Sequence, residues 1–177
     1  MANNQFLIWG RDPISGKILK KALEIEEAPN KQEIVSTYCT NTALINITKN
    51  GIIFKTGRLS FEKKSKDDSK YKTPVIIPLR HFSTGYLAEK ISLGENHILV
   101  LTKSKNAFSW GDNYYGQLGL DNYLIPLALE PQKLKNIGIT VVKAFKNNSF
   151  ALDGKLIILI IYYSYLRQKK VMGLGKK

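Results

Sequence analysis

Apolar residues occur in short runs separated by turn residues, as in HILVLT, KSKN and AFSWG between His97 and Gly111. Two short apolar runs joined by such a turn predict a β-hairpin. The segment Ile98–Leu101 is apolar at every position, so both faces of this strand are expected to be buried. The pattern therefore predicts an all-β protein of antiparallel strands and excludes a sheet exposed on both sides.

The hairpin pattern recurs along the chain. Ile34–Arg58 aligns with Ile91–Asp112, a third copy begins at Val142, and an N-terminal half copy carries Trp9 and Gly10. The matched pairs in the first alignment are Thr48 with Thr102, Phe54 with Phe108, and Gly57 with Gly111. Because short repeats bury their apolar faces only against neighbouring repeats, the pattern predicts stacked units.

Proline-marked connectors separate the units at Ala28–Pro29, Thr73–Val75 and Ile125–Pro131. Proline cannot donate to a strand ladder, so we expect these segments to be loops or strand edges. The mixed-charge segment Phe61–Lys72 has no apolar period and is typical of a solvated loop, with a basic contact loop as the alternative.

The repeats are assigned to residues 1–155, with the best copy at 91–141, and residues 156–177 form a divergent apolar and basic tail. The longest apolar run, Leu156–Leu166, is much shorter than the ~20 residues of a membrane-spanning helix. We expect it to be a buried terminal strand or an aggregation-prone segment. The first residues lack the pattern of a secretory signal, so an intracellular location, cytoplasmic or nuclear, is expected.

A net charge of +13 is compatible with a nucleic-acid or anionic partner. However, 23 of the 27 basic residues are lysines, and a compositional drift toward Lys, Asn and Ile produces the same charge without any partner. A single cysteine, Cys39, excludes an internal disulfide, and His81 and His97 form no metal-ligand pattern with it. We expect no catalytic residues, no metal and no cofactor.

Glycine, aromatic and amide residues recur at specific spacings in the best copy. They are Gly94, His97, Leu101, Thr102, Trp110, Gly111, Asn113, Gly116, Gln117, Leu118 and Gly119. On these residues the segment resembles a repeat of the regulator of chromosome condensation family. The resemblance implies β-propeller repeats, and because propellers need about four to eight blades to close, this chain is expected to be an incomplete propeller of about three blades.

Structural roles are expected for the motif residues and for Trp9 and Gly10 in the half copy. The glycines suit positive φ or close backbone approach, and the tryptophan suits a wedge between sheets. His97 is expected to form one hydrogen bond that locks a turn. The other copies depart from the motif: Thr56 replaces the tryptophan, and no Gly-Gln-Leu-Gly segment follows Gly57.

The function expected from these features is a non-enzymatic protein-interaction module. The resemblance implies an alternative, guanine-nucleotide exchange on a small GTPase, and the charge permits a second one, a basic chromatin-associated protein. Membrane attachment through Leu156–Lys170 is a weaker option. Open repeat ends make self-association a further expectation.

Overall fold

The computed structural model describes residues 7–12, 15–24, 32–64, 73–81, 84–120, 124–154 and 157–159. The secondary-structure elements in this part of the chain are all β-strands, and every strand pair is antiparallel. In chain order the strands are β1 Leu7–Arg11, β2 Ile18–Glu24, β3 Ile34–Cys39, β4 Ala43–Thr48, β5 Ile53–Gly57, β6 Val75–Ile77, β7 Arg80–His81, β8 Thr84–Gly85, β9 Ala88–Leu93, β10 His97–Thr102, β11 Asn106–Asp112, β12 Leu127–Ile137, β13 Val141–Phe145, β14 Asn148–Leu152 and β15 Ile157–Leu159. The all-β prediction is confirmed.

The chain divides into two compact units, Met1–Pro78 and Leu79–Lys177. In the first unit β1 pairs with β2, and β3 to β6 form a four-stranded sheet in chain order. Every residue of β4 is buried, and Phe54 of β5 packs with Ile34 of β3. Strand β4, which includes the polar residues Asn46 and Thr48, is therefore an inner strand of this sheet and is buried on both faces.

The second unit contains a β7–β8 pair, a four-stranded sheet in the order β12-β11-β10-β9, and a three-stranded sheet in the order β13-β14-β15. Strand β10 is buried at every position, which confirms the expectation for Ile98–Leu101. A hydrophobic core joins the two larger sheets; its buried members are Leu99, Leu101, Ala107, Leu134, Ile139, Val142 and Ala151. The stacked sheets bury apolar faces that neither could bury alone.

The hairpin turns of the two units have the same geometry, which confirms the repeat alignment. Thr48 Oγ1 accepts a hydrogen bond of 3.1 Å from Ile52 N, and Thr102 Oγ1 accepts one of 3.0 Å from Asn106 N. In the corresponding turns the residue at positive φ is Gly51 in the first unit and Lys105 in the second. Lysine thus occupies a left-handed position at which glycine is favoured.

The connectors form strands that the sequence did not predict. The sequence indicated two strands per unit, whereas the sheets β3 to β6 and β9 to β12 each have four. Pro131 lies within β12, an outer strand, as expected for a residue that cannot donate to the ladder. Thr73 and Pro74 lead into β6, also an outer strand, whereas Ala28–Pro29 lies outside the described residues.

The start of the predicted tail continues the sheet β13 to β15. Ile157–Leu159 pairs with β14, whereas residues 155–156 and 160–177, which include the rest of the predicted membrane-attachment segment Leu156–Lys170, lie outside the described residues. Of the charged segment Phe61–Lys72, residues 65–72 also lie outside. The described residues contain no helix with the length and apolarity needed to span a bilayer.

Candidate functional site

The motif begins at the turn between β9 and β10, where glycine is required by close approach. Gly94 N donates to His97 O at 2.9 Å. A Cβ added to Gly94 would lie 2.1 Å from His97 Cε1 and 2.7 Å from the carbonyl oxygen of Lys146. The imidazole ring therefore lies directly against the backbone of this turn, and the β13–β14 hairpin approaches it from the next sheet.

His97 connects three segments of the second unit through a hydroxyl group. Its Nε2 lies 2.7 Å from Ser149 Oγ, and Ser149 Oγ donates to the carbonyl of Gln117 at 2.7 Å. The serine hydroxyl has one proton, which the carbonyl must receive, so Nε2 of His97 is the protonated nitrogen. The side-chain bond of His97 thus reaches the neighbouring sheet, whereas the sequence suggested a bond that locks a turn.

The histidine is held neutral by its surroundings. Its side chain is almost fully buried, and within the described part of the chain its Nδ1 has no hydrogen-bond partner. Burial lowers the pKa of His97 to about 4, against the opposing attraction of the Asp112 carboxylate. Because burial outweighs the Asp112 carboxylate and a backbone interaction at Asn148, which both favour the charged form, His97 is neutral at neutral pH and this site is a structural junction between sheets.

The loop after β11 is fixed by two amide side chains. Asn113 donates through Nδ2 to Ile125 O at 2.8 Å and accepts from Leu118 N at 3.0 Å. Its backbone amide also donates to Pro126 O at 2.8 Å. Gln117 Oε1 accepts from Tyr115 N at 2.8 Å. Both amides are buried, so the loop is held by internal hydrogen bonds rather than by solvent.

The remaining motif residues lie in or beside this loop, except Leu101 and Thr102 on β10 and Trp9 and Gly10 on β1. Trp110 is buried on β11 opposite Ile98, and Leu118 is buried with its carbonyl accepting from Ser109 Oγ at 2.7 Å. The motif glycines at positive φ are Gly111 on β11, Gly116 and Gly119 in the loop, and Gly10 on β1. Trp9 and Gly10 belong to β1 of the first unit, and the side chain of Trp9 lies outside the described part.

Serine residues of the junction were missed by the sequence reasoning. Ser149 relays the bond of His97, and Ser92 Oγ accepts from Ala144 N at 2.8 Å. A serine at a buried position of the strand NSFAL is the only signal that could have identified Ser149. No group of three or more potential metal ligands lies close together among the described residues.

Comparison with known proteins identifies the repeats. Two family profiles, both described as the Regulator of chromosome condensation (RCC1) repeat, match residues 88–117 and 106–151. The chain is 53% identical over 49 residues to the mouse serine/threonine-protein kinase Nek9, covering 27% of this chain and 5% of that protein. It is 27% identical over 176 residues to the guanine nucleotide exchange factor SRM1 of Saccharomyces cerevisiae, covering 88% of this chain and 35% of SRM1.

The fold matches a solved propeller. In the crystal structure of Kap60 bound to yeast RCC1 (Prp20), the matched chain superposes with a TM-score of 0.60 at 25% identity, over 78% of this chain and 31% of the other. The chain thus spans about a third, or much less, of the proteins it resembles. The predicted propeller-type fold is confirmed as a partial propeller of about three blades.

Proposed function

We propose, from the premise that this chain carries regulator of chromosome condensation repeats, that it is a non-enzymatic module that binds a partner protein through its loops. The observation that carries this proposal is that the loop after β11 has buried amide side chains and exposed aromatic and apolar side chains. Its amide side chains are buried in internal hydrogen bonds, while Tyr114, Tyr115 and Leu124 are exposed. The polar groups of the loop maintain its shape, and Tyr114, Tyr115 and Leu124 face outward, whereas Leu118 is buried.

A fixed loop with exposed aromatic side chains suits protein binding for an energetic reason. Ordering a flexible loop on binding costs free energy, and a loop already held by hydrogen bonds avoids most of that cost. Tyrosine also offers a large contact area with few rotatable bonds, and it is enriched among residues that dominate interface energies. The described residues are thus better suited to contact than to bond chemistry.

Guanine-nucleotide exchange on a small GTPase is the alternative. It is supported by the likeness to SRM1, an exchange factor, which extends over 88% of this chain. The exchange activity belongs to SRM1, of which this chain spans 35%. The alternative therefore requires that a part of this size is enough for exchange activity. A basic chromatin-associated protein is the second alternative, supported by the net charge of +13. Each of these proposals places the chain inside the cell, in cytoplasm or nucleus.

The test of the module proposal is reconstitution of a defined complex. Proteins captured by the chain would be purified individually and titrated against it by isothermal calorimetry. We expect at least one saturable complex of fixed stoichiometry that forms without any covalent change in either protein.

Two parallel assays separate the alternatives. Release of fluorescent GDP from a purified small GTPase reports exchange, and DNA binding over a salt series reports a phosphate interface, whose affinity falls steeply with salt. Accelerated GDP release would replace the module by the exchange factor. Steeply salt-dependent DNA binding with no protein complex would replace it by the chromatin protein.

A further inference from the structure

We infer that the surface formed by Glu95, Asp112, Tyr114, Tyr115 and Leu124, here called the aromatic loop surface, binds a protein segment that presents a lysine or arginine between apolar side chains. The inference rests on the proposed function, because it names the partner chemistry of the same loop. Three observations carry it: the loop is pre-organised, its aromatic side chains are exposed, and the charge of its sheet is polarised toward acid at this end.

The backbone that carries both tyrosines is fixed on both sides. Tyr114 N donates to Asp112 Oδ1 at 3.1 Å, and Tyr115 N donates to Gln117 Oε1 at 2.8 Å. Gly116 N closes the turn on the carbonyl of Asn113 at 2.9 Å. The two rings are in edge contact, with centroids 5.1 Å apart and planes at 85°. The ring pair is therefore presented in a defined arrangement.

The exposure of these side chains is unusual for such a constrained segment. Tyr114 is 70% exposed, Tyr115 48% and Leu124 74%, whereas the flanking Asn113 and Gln117 are buried. Leu124 adjoins Ile125, whose carbonyl receives the Asn113 amide, so it belongs to the same fixed loop. Exposed aromatic and apolar side chains on a rigid support are typical of a contact surface.

Charge in the sheet β9 to β12 is distributed unevenly between its two ends. The end at the β10–β11 turn holds the described lysines of this sheet and one carboxylate; they are Lys90, Lys103, Lys105, Lys133, Lys135 and Glu89. Toward the loop end the described charged residues of the sheet and its loops are carboxylates: Glu95, Asp112 and Glu130. Asp112 N donates to Asn96 O at 2.8 Å, which places Glu95 and Asp112 on adjoining turns.

These features together select a cationic partner. A guanidinium or ammonium group is attracted to the face of a tyrosine ring and to nearby carboxylates, and its apolar neighbours can pack on Leu124. On the adjoining β13–β14 turn the Lys146 carbonyl accepts from Glu95 N at 2.9 Å, and the Lys146 ammonium lies 5.7 Å from the ring centroid of Phe145. The carboxylates at this end of the sheet β9 to β12 oppose the positive charge of the whole chain, and this opposition gives a test.

The test compares two fluorescein-labelled peptides, three repeats of Leu-Arg-Leu-Gly and the same peptide with Glu in place of Arg, by fluorescence anisotropy with the 177-residue chain. The net charge of +13 on its own would favour the Glu peptide. The inference predicts the reverse, with the Arg peptide bound at least about tenfold more tightly, and with affinity that falls between about 50 and 300 mM salt.

Variants locate the binding site. Tyr114→Ala combined with Tyr115→Ala should weaken Arg-peptide binding by about tenfold or more, and Tyr114→Phe should retain it, because the ring is kept. Leu87→Ala is the matched control: Leu87 is 50% exposed but lies at the opposite end, where its carbonyl accepts from Lys103 N. Circular dichroism should show an unchanged fold for these variants, since all three side chains are exposed.

Three results would overturn the inference: tighter or equal binding of the Glu peptide, Arg-peptide binding that the double tyrosine variant leaves unchanged, and no detectable binding of the two peptides. The proposed function fails separately, if no reconstituted protein complex forms. A complex that survives the double tyrosine substitution would retain the module and remove this surface from it.

Discussion

Acidification should destabilise the second unit through His97. The pKa of this buried histidine is about 4, below its ordinary value of 6.5. Between these two values the unfolded chain binds a proton that the folded chain does not, so the free energy of unfolding falls as pH falls. Stability associated with His97 is complete above pH 6.5 and lost by about pH 4. At 1.36 kcal/mol per pKa unit the difference is about 3 kcal/mol.

The assay is urea denaturation of the whole chain at a series of pH values from about 7.5 to 4.5. Because carboxylates also begin to titrate at the acidic end of this range, the wild-type curve must be compared with His97→Gln. Glutamine can still donate to Ser149 Oγ through its amide, but it does not titrate. His81→Gln removes the other histidine of the chain and serves as the matched control.

We expect the wild type and His81→Gln to lose stability with parallel pH dependence, and His97→Gln to show a smaller loss. The difference between the two pH-dependent losses should approach about 3 kcal/mol at the acidic end, because the fixed loss caused by the substitution is the same at every pH and cancels. Equal pH dependence of the wild type and His97→Gln would refute the reasoning. It would mean that the histidine accepts its proton in the folded state with an ordinary pKa.

Three substitutions test the packing of the repeats by denaturation. Gly94→Ala should lower the free energy of unfolding by about 3 kcal/mol, because the added Cβ would lie 2.1 Å from His97 Cε1. Gly85→Ala is the control and should be nearly neutral, because its Cβ would have no atom within 4 Å. Equal effects of the two substitutions would contradict this prediction. Lys105→Gly should raise the free energy of unfolding by up to about 1 kcal/mol, because glycine adopts the φ of 60° at this position without the strain that lysine carries. The loss of the exposed ion pair with Glu89 reduces this gain. A lower free energy of unfolding would contradict the prediction. Trp110→Ala should destabilise by about 3 to 5 kcal/mol as a fully buried tryptophan; near-wild-type stability would show that it contributes little packing.

The elements that the sequence predicted are those whose signal is local. The apolar run Ile98–Leu101 indicated a strand buried on both faces, and the pairs Thr48 with Thr102 and Gly57 with Gly111 gave the register of two hairpins. The outer strand β12 escaped prediction because its pairing depends on β11 and because Pro131 suggested a loop. An edge strand tolerates a proline wherever its N–H is not needed by the ladder.

For the candidate site, the motif indicated candidate residues but not their hydrogen-bond partners. The resemblance identified His97 and Gln117, yet their connection passes through Ser149, which lies in a different repeat. A hydrogen bond between residues 52 positions apart leaves no local pattern in a single sequence. Tyr114 and Tyr115 were also not predicted as exposed residues, because a position between motif glycines does not show whether a side chain faces inward or outward.

The uneven fidelity of the repeats has a structural explanation. The hairpin turn requires only a threonine before it and a residue that accepts positive φ, and both units keep these features. The junction requires more: in the first unit Ala43 stands opposite Gly57, where His97 stands opposite Gly111 in the second. A Cβ on Gly57 would lie 2.4 Å from Thr42 O. The backbone is therefore closely packed at this position of the first unit, which has an alanine where the second unit has His97. The turn residues therefore recur in these two hairpins, whereas the histidine, glutamine and serine occur together where the sheet β13 to β15 is joined to the loop. On this argument Ser149→Ala should lower stability much less in a His97→Ala background than in the wild type, because the two side chains act as one junction.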